Sequence, residues 1–383
     1  MMTPRERVAA ALAHREPDRI PIDLGSTLVT SITTAAYVPL RAHLGLPAEP
    51  VVIFEQTQQL PYLAEDVLVR FGVDTWAVAL PPERAFRPAL FNDGEYWAWT
   101  DVWGARLRMP KAGGLYYDWV EHPLPEVTIE AIDAYRWPAF ETPENLTAIR
   151  DVAVALRRDT DCALVGTANL GSGIFEQACQ MAGMEAFMMA MVTDRAVAER
   201  LLDGITDVLI EEARRYLEVM GGFLDVYQYG DDVAMQETWM ISPESYATLI
   251  KPRQRRLFDA IKSKTPAKLM YHGCGAVFEL IPHLIEIGVD VLNPVQVSAR
   301  GMNSERLKAT YGRDIVFWGG GVDTQRVLPF GTPDEVAAEV RHRLEDLAPG
   351  GGFVFAPVHN IQAFVPPENI VAAYDAVRTF GAA

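Results

Sequence analysis

Along this chain short apolar runs alternate with long stretches in which apolar residues recur at every third or fourth position. Eight runs read as buried strands: Ile20 to Leu24, Thr75 to Ala79, Ala163 to Thr167, Val226 to Gly230, Lys268 to His272, Val291 to Asn293, Ile315 to Trp318 and Phe353 to Ala356. The stretches between them read as helices. Between the third and fourth strands Val197, Leu201, Ile205, Leu209, Ala213, Tyr216 and Leu217 share one helical face, and Gly221-Gly222 ends the run. A second helix is expected from Pro333, capped by Thr332, to Leu347, before Pro349-Gly350-Gly351-Gly352. Strands separated by helices in this way pair in parallel. Eight of them predict an α/β fold of the (β/α)8 TIM-barrel class, with an N-terminal extension opened by the capped helix at Thr3-Pro4-Arg5-Glu6 and the whole of 1–383 forming a single domain.

One segment departs from the alternation. Glu95 to Arg108, rich in Trp and Tyr, and Leu115 to Val120 alternate between faces as antiparallel strands do, which predicts a small β insertion at about 91–122, after the second barrel strand. Its aromatic residues suit a cover over the barrel rim or a wall of the mouth.

Composition narrows the function. Lysine and arginine number 34 against 51 aspartates and glutamates, a formal charge of −17, which argues against nucleic acid as a partner. No apolar run is long enough for a membrane span, and the opening residues read as a helix start rather than a signal peptide. Three scattered cysteines, Cys162, Cys179 and Cys274, make no disulfide framework. A cytoplasmic location is expected.

In a barrel of this class the chemistry stands at the carboxyl ends of the strands, and those ends are polar here. The first is followed by Asp23, the third by Asn169 and Glu176, the fourth by Asp231, Asp232 and Gln236 after Tyr229. The fifth ends in His272 and Cys274, the sixth in Asn293 and Gln296, the seventh in Gly319 to Gly321 and Asp323, the eighth in His359 and Asn360. An imidazole and a thiol two positions apart at a glycine-bracketed turn form a bidentate clamp of borderline-soft ligands. With His359 on the strand that closes the barrel, they predict a three-ligand zinc site that leaves one position open. Asp231 and Asp232 admit several readings: a metal site of their own, a substrate-binding pair, or a helix cap ahead of Ser242-Pro243-Glu244. Adjacent carboxylates on a strand cannot both face one atom, so one is expected at the mouth and the other on backbone. The Gly319 to Gly321 run lacks the spacing of a phosphate loop and predicts a tight turn instead.

With these residues in view the chain resembles the uroporphyrinogen decarboxylase superfamily, in its zinc-dependent, corrinoid methyltransferase-like branch. Carrying the resemblance are Thr3-Pro4-Arg5-Glu6-Arg7, Arg15-Glu16-Pro17-Asp18-Arg19-Ile20-Pro21, Tyr229-Gly230-Asp231-Asp232, Met240-Ile241-Ser242-Pro243-Glu244, His272-Gly273-Cys274-Gly275, Asn293-Pro294-Val295-Gln296 and Gly320-Gly321-Val322-Asp323-Thr324, in the family's order. The founding decarboxylases carry arginines after the first strand. Here the segment reads Ile22-Asp23-Leu24-Gly25-Ser26-Thr27, and an acidic group there would repel a carboxylate-bearing tetrapyrrole. The family's zinc methyltransferases use His-x-Cys and a distant Cys, the last replaced here by His359.

The resemblance implies a zinc enzyme that moves a methyl group between a small methyl ether or thiol and a cobalamin or other corrinoid. Lacking Asp-x-His-x-x-Gly, the chain would receive the corrinoid free or on a partner protein. In this scheme Asp231 or Asp232 and Tyr229 orient the acceptor or move its proton. Asn169, Glu176, Gln236, Asn293, Gln296, Asp323 and Asn360 bind substrate, and Glu279 is a candidate fourth zinc ligand. A homodimer is also in keeping with the resemblance. Two other classes stay open: a metal-independent decarboxylase of a smaller acid using Asp231 or Asp23, and a non-catalytic ligand-binding barrel.

Overall fold

The computed structural model describes residues 1–139, 142–168 and 171–381. In chain order the strands are β1 (Ile53–Glu55), β2 (Leu60–Pro61), β3 (Thr75–Ala77), β4 (Phe91–Asp93), β5 (Tyr96–Thr100), β6 (Arg106–Pro110), β7 (Asp118–Glu121), β8 (Ala163–Gly166), β9 (Val226–Gly230), β10 (Lys268–His272), β11 (Val291–Asn293), β12 (Val316–Trp318) and β13 (Phe353–Val354). Seven of them form one parallel sheet in the order β13-β12-β11-β10-β9-β8-β3. The expected first strand is reduced to the residues around Ile22, which bridges in parallel to Phe355. On its other side the Asp74 N–H donates to the Ile22 carbonyl, so this stretch joins the two sheet edges and completes a TIM-barrel-like ring. Its brevity has a local cause: Pro21 has no N–H to give, and the Ile22 N–H goes to the Asp74 carboxylate rather than to a neighbouring strand.

Alternation along the strands sorts the side chains. Val165, Val226, Met270, Val291, Val316 and Val354 point inward and pack with Val8, Ala11 and Leu12 of the opening helix Pro4–Leu12, which plugs the amino-terminal end of the barrel. That helix starts as expected, with a capping box between Thr3 and Glu6. Outward residues such as Tyr227, Leu269, Leu292 and Phe317 meet the helices, among them Arg195–Met220, Lys251–Lys262 and Pro333–Leu347. Continuing the inward parity past Val226, Met270 and Val291 places Gln228, His272 and Asn293 one layer higher, toward the mouth. The two helices expected at Val197 to Leu217 and from Pro333 to Leu347 are present, the first extended at both ends.

The insertion is a four-stranded antiparallel meander, β4-β5-β6-β7. It has a small core of its own, Trp99, Leu107 and Tyr117 with Met109 against them. A short hairpin, β1-β2, precedes the second barrel strand and had no clear signal in the sequence. Among the described residues no helix is long and apolar enough to cross a membrane.

Candidate functional site

At the mouth, β10 and the turn after β13 deliver three potential ligands. The ligating atoms of His272, Cys274 and His359 all lie within 4.8 Å of one another, and the His272 Nε2 to Cys274 Sγ distance is 3.6 Å. Zinc bonds of roughly 2.0 to 2.3 Å at tetrahedral angles would set ligand atoms about 3.3 to 3.8 Å apart, a spacing the His272–Cys274 pair already has. The imidazole rings meet edge-on with centroids 5.6 Å apart.

Each ring is held from behind. His272 Nδ1 lies 2.7 Å from Asn293 Oδ1, and His359 Nδ1 lies 2.8 Å from Asn360 Oδ1. The carboxamide nitrogens are committed elsewhere: Asn293 donates to the Trp318 carbonyl, Asn360 to Gln58 Oε1 and the Leu28 carbonyl. Both oxygens are therefore acceptors, both Nδ1 atoms carry the proton, and both Nε2 lone pairs face the cluster. The glycine run after β12 makes room for this support. Gly319 has φ +90°, and a β-carbon there would sit 3.3 Å from the Asn293 amide nitrogen and 3.1 Å from the Pro357 carbonyl.

Charge around the cluster is acidic. The Asp232 carboxylate accepts from the Cys274 N–H at 2.7 Å and stands 3.9 Å from His272 Nε2. Glu176 accepts from the Asp232 N–H at 3.0 Å. Burial, then the Asp232 and Asp231 charges, raise the Glu176 carboxyl well above its ordinary value. Burial, with Asp232 and Glu176, also pushes the Cys274 thiol up. Burial and the neighbouring His272 lower the His359 imidazole to about 4, so it is neutral and able to coordinate at ordinary pH. Acceptors converge at the cluster, and positive charge beside the thiol would favour its thiolate.

Asp231 and Tyr229 take a place other than the catalytic one expected. Asp231 is fully buried and accepts from the Phe175 and Glu176 N–H groups, the Tyr229 hydroxyl and the Gln254 amide. It thereby caps the helix Ile174–Ala182 and stands behind the mouth; burial raises its carboxyl to about 6 against the pull of those donors. Gly173 permits the contact, since a β-carbon there would lie 2.2 Å from the Gly230 carbonyl. Of the adjacent pair, Asp232 faces the mouth and Asp231 holds backbone, the division expected for neighbours on a strand.

Several expected substrate-binding residues are committed to structure. Asn293 and Asn360 orient imidazoles. Gln296 accepts from the Gly275 N–H and donates to Gln236, which donates in turn to the Ser298 carbonyl, so this pair braces the cysteine loop. Asp323 accepts from the Gln325 N–H in its own turn. Glu279 is exposed, apart from the cluster, and interacts with Tyr311. Asn169 lies outside the described residues. Asp23 is fully buried and accepts from Ser26, Thr75 and the Trp318 indole, so it is as removed from substrate as Asp231.

Two features escaped sequence reasoning. Gln228, one turn of the pleat below Gly230, faces a small cavity beside the cluster. The insertion reaches the site too: the Tyr116 hydroxyl bonds to Gln362, Gln362 to Asn360, and Asn360 to His359.

The sequence profile of the uroporphyrinogen decarboxylase (URO-D) family matches residues 104–380. The chain belongs to the uroporphyrinogen decarboxylase family. The uroporphyrinogen decarboxylase of Citrifermentans bemidjiense is 24% identical over 283 residues, 69% of this chain and 75% of that one. That of Syntrophotalea carbinolica is 28% identical over 252 residues, 63% of this chain and 66% of its own. Among solved structures, a methyltransferase from Methanosarcina mazei superposes with a TM-score of 0.66 at 20% identity over 99% of both chains, a likeness of fold. Within the uroporphyrinogen decarboxylase family, then, this member carries a His-Cys-His cluster at its mouth.

Proposed function

We propose that this protein is a zinc-dependent methyltransferase that exchanges a methyl group between a small molecule and a corrinoid, the latter free or brought by a partner protein. What carries the reading is the convergence of His272 Nε2, Cys274 Sγ and His359 on one point within 4.8 Å, with both rings held by asparagine oxygens. The donor set fits zinc: two imidazoles and one thiol, the His272–Cys274 pair already at tetrahedral spacing and one position left for substrate. When bound, zinc supplies a Lewis acid of net single positive charge that holds the substrate's oxygen or sulfur. The protein does the rest. Asp232, with Glu176 hydrogen-bonded to its N–H, would take a proton from the substrate or return one, and the asparagines keep both imidazoles in the coordinating tautomer.

The decarboxylase alternative needs a carboxylate facing the substrate, and the two assigned to it, Asp23 and Asp231, are sealed behind hydrogen bonds. The test is metal content with turnover. Protein purified without added zinc is expected to hold about one zinc per chain. His272→Ala, Cys274→Ala and His359→Ala each lose it, together with methylation of free cob(I)alamin from methyl ethers, followed by absorbance. Unchanged metal content in the three variants, or turnover that survives a strong chelator, would overturn the reading.

A further inference from the structure

Beside the cluster the mouth contains a cavity of about 80 Å³. Leu28, Phe54, Leu80 and Phe86 contribute much of its wall, and no charged side chain lines it. Its polar residues are nearly all spent. The Tyr62 hydroxyl donates to the Leu80 carbonyl, Ser26 to Asp23, Thr167 to the Ala168 carbonyl, and Thr27 bonds to Thr30. The exception is Gln228, whose carboxamide bonds to nothing among the described residues although the residue is only 9% exposed. A carboxamide on so nearly buried a residue, with no partner in the protein, is free to pair with a ligand in the cavity.

Two of the residues that line the cavity, Gln228 and Leu28, adjoin residues of the cluster. A β-carbon at Gly230 would lie 3.4 Å from Gln228 Nε2 and also 3.4 Å from His272 Cβ, so the free amide stands next to the first imidazole. The Leu28 carbonyl accepts from Asn360 at 3.4 Å, and Asn360 holds His359.

We infer that this cavity holds the part of the methyl donor that does not react, and that the donor is an uncharged methyl ether with a small apolar body and one hydrogen-bonding group read by Gln228. The assignment rests on the methyl-transfer reading and deepens it. An ammonium or carboxylate would enter a wall with no counter-charge and lose its hydration. Size points the same way: the cavity is far below the roughly 300 to 1,000 Å³ of a drug-sized pocket, which suits one ring or less and no macrocycle.

Binding tests this apart from catalysis. Methoxybenzene, 4-methoxybenzoate and phenyltrimethylammonium, matched in shape but differing in charge, are titrated by calorimetry into the full-length protein, both zinc-loaded and chelator-treated. Methoxybenzene is expected to bind both forms at least about tenfold more tightly than either ion. 2-Methoxyphenol gains further in the wild type and loses that gain in Gln228→Leu, and Ala79→Phe blocks the neutral ligands. Equal or tighter binding of either ion, or no binding of the neutral ethers, overturns the inference; both are read on wild-type protein and need no variant to fold. Loss of the zinc reading alone leaves these titrations as expected, whereas their failure leaves metal content untouched.

Discussion

At the scale of single residues, the division of labour at the mouth follows from what each side chain has left to give. Asn293 and Asn360 have both ends occupied, which makes them holders of imidazoles rather than binders of substrate. Asn293→Ala is expected to weaken zinc binding roughly 10- to 100-fold in a chelator competition, and Asn293→Asp, which keeps the acceptor, to recover most of it. His272, Cys274 and His359 were legible in the sequence because their chemistry is narrow and all three sit just past apolar runs. The asparagines were visible as polar groups at strand ends, but a carboxamide serves equally as donor, acceptor, binder or brace, and only its partners decide. Gln228 was hidden for another reason. It lies inside a strand, where the run Val226 to Gly230 reads as core, and its importance comes from having no partner, which no spacing reveals.

At the scale of elements, the parallel strands and the two longest amphipathic helices were readable from periodicity, whereas the first strand was not readable as the fragment it is. One of its ladder hydrogen bonds, from the Ile22 N–H, goes instead to a side chain, Asp74, more than fifty positions away. A comparable long-range cap fixes the helix Ile174–Ala182, whose Phe175 and Glu176 N–H groups end on Asp231, just past β9, and whose Ile174 N–H ends on the Tyr229 hydroxyl. Asp231→Ala leaves those donors and the Gln254 amide unpaired in the interior, a loss on the order of 3 kcal/mol by urea denaturation, with Asp231→Asn milder. Because the same helix carries Glu176 to the mouth, the alanine variant is also expected to lower turnover in proportion to helix order, read by hydrogen exchange at Phe175.

Across the whole molecule the two ends of the barrel serve different purposes. The carboxyl end gathers the cluster, while the amino end is locked by Arg7 and Arg19 on the fully buried Asp74 and by the Lys308 ammonium on the Gly351 carbonyl. Burial lowers Lys308 to about 8 from 10.5. Between those values the unfolded chain holds a proton that the folded one has released, so the lysine's penalty on stability is full below the lower value and fades as pH rises through the window. Lys308→Met is accordingly expected to melt above the wild type at pH 7, with the gap narrowing toward pH 10 in differential scanning calorimetry.

The thread of contacts from Tyr116 through Gln362 and Asn360 to His359 ties the meander to one imidazole. Drawing that imidazole inward would tug the roof of the entrance along with it. On the proposed reading, an ion held at the cluster would be coupled to the insertion through these same hydrogen bonds.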